Sequence, residues 1–363
     1  MPNDRPVEPT LKSHRRPDVE TTVVTVGAVR FGDGSYPVIA GPTAVESEAQ
    51  MAAVADAVAD AGAAVLRAGT FLGSSSPYGF KGLGEEALWI LERAGRRAGL
   101  PTATEVVEPG LVEVVAEHAD ILEIGAAQMQ DFALLRAVGE AGKPVILHRG
   151  PSATVDEWLM AAEYILAADN DALILCERGS RGFDPRTTDT VEISAVPVVQ
   201  RLSHLPVIVD PAPESGAATI MPPLALAVRA VGADGLVVGV HPDPRNARIG
   251  NGNQLGLADF AALMEGLGIP ALRDEIDRLD RELLKIVAAR LRHATDIGRI
   301  KAQRNIALRS PDREAELLDE VRADAAALSV DPEFAARLME MILEHSRAEQ
   351  RRVVAAMEEN GAA

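Results

Sequence analysis

The sequence predicts an α/β fold: a (β/α)8 TIM barrel with an N-terminal β-hairpin, followed by an all-α domain of three helices. Two observations carry this. Eight short β-type runs recur between helix-forming, Ala/Leu-rich stretches, and beyond Met264 the hydrophobic periodicity becomes purely helical. The runs are Pro37–Gly41, Ala64–Gly69, Thr102–Glu105, Asp120–Gly125, Pro144–Arg149, Ala172–Arg178, Pro206–Pro211 and Gly235–His241. Segments such as EAQMAAVADAVADAGAA and EEALWILERAGRRAGL separate them. Eight strands alternating with helices fit a closed parallel barrel better than an open sheet.

Ahead of the first run, TTVVTVGAVRFGDGSYPVIAG reads as a hairpin turning at Gly32-Asp33-Gly34, a plug beneath the barrel. The preceding MPNDRPVEPTLKSHRRPDVE has no apolar core, so no signal peptide is expected, and it reads as a loose arm. After the barrel, Gly266, Gly268 and Pro270 predict a short connection. Three helices then follow, over 272–304, over 312–327 opened by Pro311-Asp312, and over 331–358 opened by Asp331-Pro332. The expected division is an arm over 1–20, a barrel over 21–267 and a helical domain over 268–363.

The chain has 363 residues, 47% hydrophobic and 25% charged, the composition of a soluble globular protein of two domains. Its apolar runs are strand-length, which excludes membrane-spanning segments. A single cysteine, Cys176, excludes an intrachain disulfide framework and suits a reducing cytoplasm; its LILCE setting is that of a core strand. Residues 1–270 carry 20 Lys/Arg against 35 Asp/Glu, a net −15, and residues 271–363 carry 16 against 19, a net −3. With no basic stripe, nucleic acid is excluded as a partner.

The first C-terminal helix holds the most informative pattern. Leu272, Ile276, Leu279, Leu283, Ile286, Ala294 and Ile297 follow three-and-four spacing, the mark of one buried face. At roughly 100° per residue, Arg290 and Lys301 fall in the middle of that stripe and Arg273 on its shoulder. A buried unpaired cation costs several kcal/mol, so such charges persist only beside an anion. One such cation is explained by an internal Arg–Glu pair; two on one stripe, three turns apart, point to a bound anion. The helix would be about 45–50 Å long at 1.5 Å per residue. Two shorter helices cannot cover it, so a second copy of the chain is expected to complete the stripe, giving a homodimer.

This segment resembles the all-helical chorismate mutase family over its whole length. The resemblance places Arg273 at the first-helix arginine that reaches into the partner's site. Arg290 in AARLRHA and Lys301 in GRIK take the own-chain cationic positions. Glu314 in DREAELL takes the second-helix glutamate, and Ser346 and Gln350 in ILEHSRAEQ the third-helix positions. Ser310 stands where the family commonly has Asp. Chorismate carries two carboxylates and rearranges to prephenate without nucleophile, metal or proton transfer. A site for it has only to fold the substrate and stabilise negative charge on the breaking ether oxygen. The implied roles are catalytic for Arg273, Arg290, Lys301, Glu314 and Gln350, and substrate-binding for Ser310 and Ser346.

From about Thr22 to Leu263 the chain resembles the β subtype of type I 3-deoxy-D-arabino-heptulosonate 7-phosphate (DAHP) synthases, in phrases such as IAGPTAVES, SPYGFKGLGEE, LILCERG, ISAVPVVQRLSHLPVIVDP and GVHPDP. That family condenses phosphoenolpyruvate with erythrose 4-phosphate around a divalent metal, and fusions to a chorismate mutase are known in it. At the metal-ligand positions of the family this chain has Thr43, Pro213, Gly239 and either Gly250 or Asn251, none of them an anionic or imidazole donor. Substrate-gripping positions hold Leu72, Ser74, Ala127, Thr188, Ala217 and Ala218. Arg67, Arg149, Arg178, Arg181, Asp210 and His241 remain, some of them expected as internal ion pairs at the strand ends, and the expected remnants of the barrel pocket are Arg67, His148, Arg149, Arg178 and His241. The expectation is a cytoplasmic chorismate mutase with a catalytically silent barrel serving as scaffold, oligomerisation platform or partner-binding surface, with no cofactor and no metal. The alternatives are a barrel repurposed as a metal-free enzyme, its pocket lined by Thr43, the serines 74–76, His148 and His241, or a still-active DAHP synthase. A higher oligomer through the barrel and a protein partner docked on it are further expectations.

Overall fold

The computed structural model describes residues 11–15, 21–73, 78–182, 189–211, 217–304, 306–307, 310–328 and 330–361. It divides into two compact units, Met1–Leu272 and Arg273–Ala363.

The first unit is a closed barrel of eight parallel strands: Val38–Gly41, Val65–Arg67, Thr102–Glu105, Ile121–Ile124, Val145–His148, Leu173–Glu177, Val207–Val209 and Leu236–Gly239. Each pairs with its neighbours in sequence, and the eighth returns to the first, Val237 opposite Ile39 and Val238 opposite Ala40. All eight lie inside the runs read from the sequence. The period-two alternation explains the packing. Ile39, Val65, Ala103, Ile121, Ile146, Ile174, Cys176, Ile208 and Val237 point inward as one buried cluster. The intervening Val38, Leu66, Leu122, Leu147, Leu175 and Val238 point outward beneath the helices. Cys176 is therefore a core side chain, and burial raises its thiol pKa.

The N-terminal hairpin is present, but its turn is elsewhere than expected. Val24–Val26 pairs with Val29–Phe31, so the loop is Gly27-Ala28, with Gly27 at φ +59°. Two constraints decide this. The strand that follows Gly34, Val38–Gly41, is committed to the barrel, and the shorter hairpin places Val24, Val26 and Phe31 in the barrel's interior cluster. That contact closes the end of the barrel at which the strands begin.

The connection predicted around Gly266, Gly268 and Pro270 is not a break. One helix runs from Leu257 to Gln303. Proline and glycine penalties are local costs of about 1–3 kcal/mol, and a helix continued on both sides absorbs them. The second unit's other helices are Pro311–Ala327 and Pro332–Gly361, with Asp331 Oδ1 accepting from the Phe334 N–H at the last helix's start. Along the first helix, Ile276, Leu279, Leu283 and Ile286 are 48–65% exposed in the single chain. Among the described residues no helix is long and apolar enough to cross a membrane.

Candidate functional site

Each unit holds one cavity that gathers sequence-predicted residues. In the helical unit, a cavity of about 350 Å³ is lined from all three helices. The Leu257–Gln303 helix contributes Arg290, His293, Ala294, Ile297 and Lys301 at helical spacing. The second helix contributes Arg313, Glu314 and Leu317, with Ser310 at its cap, and the third contributes Leu343, Ser346, Arg347 and Gln350. Six of the seven residues expected here therefore converge. Arg273 is helical in backbone, but its side chain lies outside the described residues.

Several contacts hold this cavity in shape. Arg290 Nη1 donates to Ser346 Oγ at 3.1 Å, and Ser346 Oγ donates in turn to the Ile342 carbonyl at 2.7 Å. Gln350 Nε2 donates to the Ala294 carbonyl at 2.7 Å, leaving its second N–H available. That reach depends on Gly298: a Cβ there would lie 2.8 Å from Gln350 Cγ. Arg347 Nη1 lies 2.9 Å from Glu314 Oε1. His293, Arg313 and Arg347 had not been singled out in the sequence, although their i, i+3 or i+4 spacing from the predicted residues places them on the same faces.

The barrel's cavity, about 460 Å³, opens at the ends of the strands. Its polar floor is the next inward layer above the apolar one. Arg67, Glu105, Glu123, His148, Arg178, Asp210 and Gly239 each stand two residues beyond an inward apolar side chain, and all line the cavity. Glu105 and Glu123 were missed in the sequence, where only conspicuous cations and family positions drew attention; the alternation from Ala103 and Ile121 identifies both.

The charges in this layer are largely matched. Arg67 Nε contacts both oxygens of Glu123, at 3.2 and 3.0 Å, and His148 Nε2 lies 3.8 Å from the same carboxylate. Burial alone would raise the Glu123 pKa, but Arg67 and His148 outweigh it and hold it at about 2. Glu105 lacks such compensation: burial pushes its carboxyl pKa up, only partly opposed by Arg67. Arg178 Nε is 3.7 Å from Asp210. Arg149 and His241 are not among the residues lining the cavity. Arg149 is one position out of phase with inward-facing His148, and its guanidinium binds Glu177 at 2.8 Å, Glu192 at 2.9 Å and the Ala153 carbonyl. His241 accepts from the Asp243 N–H and faces Glu46 at 3.6 Å.

At the family's metal-ligand positions, Thr43, Gly239 and Gly250 meet at one side of this cavity. Of the two alternatives, Gly250 is the residue beside Thr43: a Cβ on it would lie 2.8 Å from Thr43 Oγ1. The neutral side chain of Gln254 fills the space between them. Its Oε1 accepts from the Thr43 N–H at 2.8 Å, its Nε2 donates to the Ile249 carbonyl at 3.0 Å, and a Cβ on Gly239 would lie 3.1 Å from its Cγ. Among the described residues at these positions there is one hydroxyl and an amide already engaged, with none of the carboxylate, thiolate or imidazole donors that hold a catalytic divalent metal. Pro213, Thr188, the serines 74–76 and the side chains of Ala217 and Ala218 lie outside the described residues. Leu72 and Ala127 line the cavity and offer no charge to a phosphate.

Comparison with known proteins places both units. Residues 18–268 match the DAHP synthetase I family, and residues 272–351 match chorismate mutase type II. The phospho-2-dehydro-3-deoxyheptonate aldolase of Thermotoga maritima is 41% identical over 246 residues, 68% of this chain and 73% of that one. A 2-dehydro-3-deoxyphosphooctonate aldolase of Nitrobacter hamburgensis is 31% identical over 266 residues, 68% of this chain and 91% of its own. The crystal structure of the Thermotoga maritima DAHP synthase superposes with a TM-score of 0.70 at 38% identity, covering 74% of this chain and 78% of that one. The chain thus belongs to the DAHP synthetase I family, with a chorismate mutase type II domain following its barrel.

Proposed function

We propose that this protein is a cytoplasmic chorismate mutase whose barrel does not carry out the metal-dependent condensation. The convergence of Arg290, Lys301, Glu314, Ser346 and Gln350 on one cavity supports the first half. In this reading Arg290 pairs with one substrate carboxylate, and Arg273 of a second copy pairs with the other. Lys301 and the free N–H of Gln350 donate to the breaking ether oxygen, Glu314 accepts from the ring hydroxyl, and Ser346 and Ser310 complete the binding surface. These are fixed charges acting on a unimolecular rearrangement, so no metal or cofactor takes part. The exposed Ile276, Leu279, Leu283 and Ile286 support a homodimer through this unit, since an apolar stripe of that length calls for a matching surface.

The second half rests on Thr43, Gly239 and Gly250 with Gln254 between them. The barrel then acts as a scaffold, an assembly platform or a docking surface for another protein. A second reading, in which the barrel binds a different small molecule without metal, is favoured by three buried polar atoms of cavity-lining residues that have no hydrogen-bond partner: His148 Nδ1, Gln128 Oε1 and Asn253 Oδ1.

The purified chain is expected to convert chorismate to prephenate at the same rate with and without EDTA. It is expected to leave phosphoenolpyruvate and erythrose 4-phosphate unchanged, with or without Mn²⁺. Absence of chorismate turnover overturns the mutase assignment, and Mn²⁺-dependent loss of phosphoenolpyruvate overturns the silence of the barrel.

A further inference from the structure

The mutase reading leaves one contact in its cavity without a role. We infer that Arg347 is a positioning residue for the rearrangement, acting through Glu314: it holds that carboxylate ionised and aimed, so that Glu314 serves as an acceptor for a substrate hydroxyl and never as a donor. The inference rests on the mutase assignment and adds to it a residue outside the set that the resemblance supplied.

The geometry carries it. Among the described residues lining the cavity, Glu314 is the one carboxylate. Among the described residues, the charged and titratable groups lining the cavity with it are Arg290, His293 and Lys301 on the first helix, Arg313 on its own helix, and Arg347 on the third. Arg313 turns along its own helix, binding Glu316 at 2.9 Å and lying 3.9 Å from Glu320. Arg290 is engaged with Ser346. Arg347 is the guanidinium that crosses from the third helix to Glu314, at 2.9 Å. Both side chains are mostly covered, at 30% and 20% exposed. A ligand filling the cavity would remove further water from Glu314, and a desolvated carboxyl drifts toward its protonated form, which donates where the chemistry needs an acceptor. A guanidinium fixed on the Glu314 carboxylate opposes that drift. Being committed to Glu314, Arg347 is not the residue that grips a substrate carboxylate.

The two roles separate in the pH dependence. The experiment measures kcat and KM for chorismate from pH 5 to 9 in the full-length wild type, Arg347→Ala, Arg347→Lys, Glu314→Gln and the Arg347→Ala/Glu314→Gln double variant. Arg347→Ala is expected to move the acidic limb of kcat up by roughly one pH unit or more. Activity then falls about tenfold on the acid side and returns to near wild type at pH 9. Arg347→Lys restores most of the limb, and adding Arg347→Ala to Glu314→Gln, whose amide cannot titrate, moves no limb. A loss in Arg347→Ala that is equal at every pH and concentrated in KM overturns the inference in favour of direct substrate binding. An unchanged profile overturns it in favour of a solvated ion pair. A wild-type chain that leaves chorismate untouched overturns the underlying assignment, and the inference with it.

Discussion

The two cavities of this chain are built from the same residue types in opposite proportions. In the barrel, Arg67 and Arg178 face Glu123, Asp210 and Glu105, so the layer is neutral to acidic and its two arginines are engaged within the protein. In the helical unit, Arg290, Lys301 and Arg347 line a cavity whose one described carboxylate is Glu314, while Arg313 beside them turns to Glu316 and Glu320. An arginine's meaning therefore lies in its partner. A guanidinium with a buried carboxylate of its own is structure, whereas an excess of guanidinium and ammonium groups around one carboxylate is a demand for an anion. The barrel belongs to a family whose name denotes a phosphorylated product, yet its described strand-end layer has no surplus of positive charge. The small helical unit has that surplus.

The comparison can be broken most directly at Arg290. Changing it to Ala is expected to lower chorismate turnover by about 10²–10³-fold, the usual consequence of removing one charge-stabilising donor, without changing the far-ultraviolet circular dichroism. Near wild-type turnover would mean that the cationic surplus is not a substrate site. In the barrel the same kind of change should act on stability. Glu123→Gln leaves Arg67 unpaired in a buried setting and is expected to cost roughly 3–5 kcal/mol at neutral pH, read by denaturant unfolding. Because the folded pKa of Glu123 is lowered to about 2, its contribution is present above the ordinary carboxylate value and is lost as pH falls from there towards 2. The gap between wild type and variant should close over that window; a constant gap would show that the pair is not what is lost.

Mixing an inactive Arg273→Ala chain with an inactive Arg290→Ala chain sharpens the same comparison. If the helical site is shared between copies, one site in each mixed dimer regains both arginines and part of the activity returns. No recovery after demonstrated subunit exchange would confine the site to one chain. The smallest expected effect is at Glu105. Its carboxyl pKa is raised by burial, so ionising it works against the fold, and the penalty grows as pH rises through and above the ordinary value. Glu105→Gln should raise the melting temperature slightly at pH 7 and do nothing at pH 4, and a lower melting temperature at pH 7 would show that the ionised carboxylate has a stabilising partner.

Much of this was legible in the residues because the patterns were periodic. The strand runs and the cationic stripe are statements about spacing, and spacing survives folding. What was misread depended on competition between segments. Gly32-Asp33-Gly34 is a stronger turn signal than Gly27-Ala28, but the strand that follows it, Val38–Gly41, is needed in the barrel. Pro270 reads as a breaker until the helix on either side outweighs it. Arg149 and His241 stand at or just beyond strand ends, as Arg67 and His148 do, yet neither lines the cavity, whereas Glu105 and Glu123 do.

By itself the sequence determined which residues could line each site: period-two alternation chose the inward layer of every strand, and three-and-four spacing chose the face of every helix. Tertiary structure alone decided which charges would be left over. Pairing Arg67 with Glu123, filling the space among Thr43, Gly239 and Gly250 with Gln254, and bringing Arg347 across to Glu314 all join residues from different strands, loops or helices. The reason is physical. Local periodicity is set by backbone geometry within a segment, whereas charge neutralisation acts over a few ångströms of space and is indifferent to the number of residues between the partners.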